Sequence, residues 1–186
     1  MNLSRFIIVL TFLLIFLQIN THSQSPLCED RDFECLIIEA NKSLELNPQD
    51  ADAYIKRGNI YEDNGNIEFA IKDYTKAIEV SPQNFGGYYS RGLVYKDLGN
   101  YRQAIRDFDK AIEWNSINHC IYYNRGLSYL KLNNIAQAIK DFTKAIELKP
   151  TYAKTYYNRG NAYAQIGDKE KAEADYKKYE ELNKKS

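Results

Sequence analysis

The sequence predicts an all-α fold, a solenoid of antiparallel helix pairs. Three observations carry this. The stretch "YYNRG" at 122–126 returns unchanged at 156–160, 34 residues later. Glycine recurs at the same interval, as Gly58, Gly92, Gly126 and Gly160. Aromatic residues and alanines fall between them at helical spacing.

Rows of 34 starting at Ala51 bring the columns into register. Position 4 reads Tyr54, Tyr88, Tyr122, Tyr156, and position 11 reads Tyr61, Tyr95, Tyr129, Tyr163. Position 20 reads Ala70, Ala104, Ala138, Ala172. Position 24 reads Tyr74, Phe108, Phe142, Tyr176. Positions 4, 8 and 11 share one helical stripe, which makes them the packing face of a first helix. A glycine inside a helix costs about 1 kcal/mol against alanine. Four of them at position 8 imply close approach of a second helix. Gly65, Gly99, Asn133 and Gly167 suit the left-handed turn that ends the first helix. Asn66, Asn100, Asn134 and Asp168 follow as candidate caps of the second. Pro82 and Pro150, at position 32, stop that helix.

This pattern resembles the tetratricopeptide repeat. Counting aromatics as interchangeable, 25 of 32 signature slots match. The consistent departure is position 7, where the family's leucine is arginine four times. The resemblance implies a right-handed superhelix with its first helices lining a concave groove. It divides the chain into repeats at 51–84, 85–118, 119–152 and 153–186, the last with a polar terminal helix. Residues 24–50 form an N-terminal tail and a half repeat of one helix, so nine helices are expected. Lys169, Glu173 and Glu180 replace apolar residues on the last stacking face, which therefore faces water.

Residues 1–23 read as a secretory signal peptide. One positive charge precedes the apolar run from Phe6 to Leu17, and small residues precede Gln24. The run is short for a span of about 20 residues. The protein is therefore expected to be exported, periplasmic or secreted. The alternative is a membrane anchor at 6–19. Cleavage would leave 25 − 1 = 24 basic groups against 25 acidic. This balance, with charges interspersed, argues against a nucleic-acid partner. Cys28 and Cys35 are a candidate disulfide in an oxidising compartment, with two separate thiols as the alternative.

Each position-7 arginine has an aspartate 16 residues on: Arg57 with Asp73, Arg91 with Asp107, Arg125 with Asp141, and Arg159 with Asp175. Antiparallel helices would set these at similar heights, as structural ion pairs. The alternative is four arginines aimed at an anionic ligand.

A second stripe lies about 130° from the packing face, at about 100° per residue. It carries the candidate groove residues Tyr89, Leu93, Tyr123, Leu127, Leu130, Lys154, Tyr157 and Asn161. Its centre is apolar and aromatic, while Asp52, Glu62, Asp63 and Asp97 lie toward one end. Such a face suits an extended segment of a partner protein. Packing between neighbouring helices is the competing reading. The slots of a carboxylate clamp hold Tyr89, Leu93, Asn124, Lys154 and Asn158; two of five match, so that activity is not expected. No metal set, cofactor motif or catalytic constellation is present, and no enzyme is predicted. Self-association through Leu36, Ile37, Ile38 and Leu44 of the half repeat is the alternative role.

Overall fold

The protein is described from a computed structural model, covering residues 32–184. The expected signal segment, Cys28 and the last two residues lie outside the described residues. Nine helices and no strands occur among those described. They are α1 (Phe33–Leu46), α2 (Ala51–Asp63), α3 (Ile67–Val80), α4 (Phe85–Asp97), α5 (Tyr101–Trp114), α6 (His119–Lys131), α7 (Ile135–Leu148), α8 (Ala153–Gln165) and α9 (Lys169–Asn183).

Two units divide the chain, residues 1–39 and residues 40–186. In the first, Cys35 is disulfide-bonded, and its partner lies outside the described residues. Its backbone N–H donates to Asp32 Oδ1 at 2.8 Å, closing the first turn of α1.

In the second unit α2–α3, α4–α5, α6–α7 and α8–α9 pack as pairs. Each second helix also packs against the next first helix. The core is a row of fully buried side chains on the second helices: Tyr74, Phe108 and Phe142, with an alanine one turn away on either side. The position-8 glycines make room for these rings. A Cβ on Gly126 would lie 2.8 Å from Phe142 Cε1, closer than side-chain atoms approach. Gly58, Gly92 and Gly160 face Tyr74, Phe108 and Tyr176 in the same way.

The turns inside the pairs use left-handed residues, with φ of +77°, +78° and +81° at Gly65, Gly99 and Gly167 and 58° at Asn133. Capping differs from expectation. Asn134 and Asp168 accept from the backbone N–H groups of Gln137 and Lys171, but Asn66 and Asn100 make no cap bond. Their ψ angles are 63° and 55°, against 72° and 77° for the two that cap. Stronger caps precede the first helices, where Asp50, Asn84 and Asn118 each accept from a backbone N–H. Lys169, Glu173 and Glu180 are exposed on α9.

Candidate functional site: the face of the first helices

Successive first helices touch: α2 meets α4, α4 meets α6, and α6 meets α8. Among the described residues no two successive second helices do. The first helices therefore crowd the inner side of the stack, and the second helices fan out behind them. The stripe at positions 2, 5, 6, 9, 12 and 13 lines that inner side.

Tyrosines and asparagines link the first helices across it. Asn124 Nδ2 on α6 donates to the Tyr89 hydroxyl on α4 at 3.3 Å. Asn158 Nδ2 on α8 donates to the Tyr123 hydroxyl on α6 at 3.1 Å. Each asparagine also holds a carbonyl of its own helix, at Cys120 and Lys154. Lys96 Nζ reaches Asn124 Oδ1 at 3.0 Å. The rings of Tyr89 and Tyr123 lean on Phe108 and Phe142 with centroids 6.1 and 6.0 Å apart. Both are half-buried. Burial pushes the Tyr89 hydroxyl up to about 12 and also raises that of Tyr123. Tyr157 is the exposed member of the row, packed against Tyr176 and Tyr179.

Position 9 is coupled to position 24. Where the core ring is tyrosine, position 9 is asparagine: the Tyr74 hydroxyl donates to Asn59 Oδ1 at 2.7 Å, and Tyr176 donates to Asn161 Oδ1 at 2.9 Å. Tyr74 also lies 2.6 Å from Glu62 Oε2. Where the ring is phenylalanine, position 9 is leucine, as in Leu93 and Leu127. A buried hydroxyl requires an acceptor and a phenyl ring does not. Asn161, a candidate groove residue, thus answers first to the core. Leu93, Leu127 and Leu130 remain half-buried on the inner face, and Lys154 is exposed at its far end.

The four arginines lie beside this face, not on it. Arg125 donates from Nε to Asp141 Oδ2 at 2.8 Å and from Nη2 to Oδ1 at 2.6 Å. Arg57–Asp73, Arg91–Asp107 and Arg159–Asp175 repeat the two-bonded geometry at 2.7–2.9 Å. The remaining Nη1 reaches back to position 25 of the preceding unit. Arg57 takes Asn41, Arg91 takes Thr75, Arg125 takes Asp109 and Arg159 takes Thr143. One guanidinium thus joins both helices of its own pair to the helix before. The arginine side chains are only 17–21% exposed and the position-23 aspartates under 10%. Burial alone would disfavour the Arg125 cation, but its bonds to Asp141 and Asp109 outweigh that and raise its pKa. Three of the five N–H groups on each guanidinium are held by protein acceptors, so these arginines act as links between helices.

A cavity of about 450 Å³ opens between α2 and α3, lined by Tyr54, Arg57, Lys72, Asp73, Thr75, Lys76 and Glu79. Its charged lining residues include the Arg57–Asp73 and Lys76–Glu79 ion pairs. Cys120 is free, with His119 Nε2 3.4 Å from its sulfur. No group of three metal-ligating side chains occurs among the described residues. No helix among them is long and apolar enough to cross a membrane.

Profiles of the tetratricopeptide repeat match residues 87–114, 119–152 and 153–186. Two related repeat profiles match 58–99 and 39–72. A comparison with curated protein sequences finds no match. Among solved structures, a crystal structure of MamA is 28% identical, covering 83% of this chain and 90% of that one, with a TM-score of 0.77. A second MamA structure is 28% identical, covering 83% and 84%, at 0.74. MamA from Desulfovibrio magneticus RS-1, residues 41 to the end, is 20% identical over 82% and 86%, also at 0.74, and shares the fold. The repeats form a protein-interaction scaffold, and the chain belongs to the tetratricopeptide repeat family.

Proposed function

We propose that the protein is an exported adaptor that holds an extended segment of a partner protein against the inner face of its first helices. The observation that carries this reading is the row of half-buried Tyr89, Leu93, Tyr123, Leu127 and Leu130 on the side where the first helices converge. The tyrosine hydroxyls are already held by asparagines, so the rings are fixed in place before a ligand arrives. Fixed aromatic surface loses little entropy on binding.

Export rests on the N-terminal apolar run. Sequencing of the native protein is expected to start near Gln24; an intact Met1 in a membrane fraction would favour the anchor. For the groove, the test is Tyr123→Ala measured against a partner isolated from the native source. A central interface aromatic is worth about 2 kcal/mol, roughly thirtyfold in Kd. Affinity should fall by that much, while Lys140→Ala on the outer side of α7 leaves it unchanged. Unchanged affinity in Tyr123→Ala would remove the groove from the interface.

Self-association through the half repeat is the weaker reading. Of Leu36, Ile37, Ile38 and Leu44 only Ile38 is exposed, and Leu44, expected to be free, is buried, although Leu46 of the same helix is also exposed.

A further inference from the structure

We infer that the inner face selects its ligand by charge polarity: a segment basic at one end, apolar in the middle and acidic at the other. This rests on the groove reading above and specifies what the groove accepts.

The charges on the inner stripe change sign along the stack. In the first repeat the stripe carries Asp52, Glu62 and Asp63 against Lys56, a net charge of −2. In the second, Lys96 and Asp97 cancel and pair with each other at 3.3 Å. The third contributes Lys131 and the fourth Lys154, with no acidic residue on the stripe in either. Local bonds do not erase the gradient. Asp52 accepts from the neutral Asn84 amide and Glu62 lies 2.6 Å from the neutral Tyr74 hydroxyl, and neither is paired with a cation among the described residues. Asp63, Lys131 and Lys154 are exposed. Neither lysine is committed to a carboxylate among the described residues.

Length decides whether a ligand can sense both ends. Packed helices lie about 9 Å apart, so the three steps from α2 to α8 cover about 27 Å. About eight extended residues span that distance at roughly 3.3 Å each. The screening length at physiological salt is about 8 Å, so the two ends act separately. A segment of uniform charge gains at one end and is repelled at the other. The neutral centre, with Tyr89, Leu93, Tyr123 and Leu127, excludes charge from the middle of the ligand.

Three synthetic twelve-residue peptides sharing one apolar centre test this. The first carries two lysines at one end and two glutamates at the other, the second lysines at both ends, the third glutamates at both. The mixed peptide should bind wild type about fivefold more tightly than either of the others at low salt, and the preference should shrink as salt rises. In Lys131→Glu/Lys154→Glu, whose altered residues are exposed, the doubly basic peptide should become the tightest. Equal binding of all three, or a ranking the double variant leaves unchanged, overturns charge selection. If that binding is equal yet weakened by Leu127→Ala, with the variant shown to be folded, the groove reading survives alone. If no peptide binds, both readings fall.

Discussion

Phe142→Ala is expected to lower the unfolding free energy by about 3–5 kcal/mol. The ring is fully buried at the centre of the third repeat. It fills the space left by the missing side chain of Gly126, and the Tyr123 ring rests on it. Removing it opens a cavity that two helices close imperfectly, because the glycine has no side chain to move in. Stacked units are held by their neighbours, so the loss should spread to the interfaces with the second and fourth repeats. Denaturant unfolding followed by circular dichroism would measure it. A loss below about 1 kcal/mol would show that the core lies elsewhere.

Arg125→Leu carries a comparable cost of about 3–5 kcal/mol, through charge and not volume. The substitution strands the Asp141 carboxylate, which is 6% exposed, and leaves Asp109 without its cation. Asp109 is 47% exposed and can turn to water, so most of the penalty comes from Asp141. Asp141→Leu should cost nearly as much. The double variant should cost less than the sum, since neither charge is then left alone. Strictly additive losses would show that the two side chains do not support each other.

The repeat period and the glycine column made the helix pairs legible in the sequence, since a buried ring opposite a missing Cβ leaves a mark in both columns. The position-7 arginines were legible in part. Their spacing of 16 to an aspartate is visible, but the same spacing runs backward to Asn41, Thr75, Asp109 and Thr143. That column varies among asparagine, threonine and aspartate while keeping a side-chain oxygen, so identity hides what chemistry preserves. The pairing of asparagine with tyrosine and leucine with phenylalanine, at positions 9 and 24, was a readable signal that sequence reasoning missed. It assigned Asn161 to ligand contact, whereas the side chain serves Tyr176. The Asn124–Tyr89 and Asn158–Tyr123 links join residues 35 apart, one more than the period, and only the geometry between repeats brings them together.

The central claim is that a partner lies along the first helices. Photo-crosslinking tests it most directly, with a benzophenone side chain placed at Leu127 on the inner face or at Lys140 on the outer face. The account predicts one cross-linked partner segment from position 127, competed by unlabelled protein, and none from position 140. Cross-links from 140 alone, or equally from both, would contradict it.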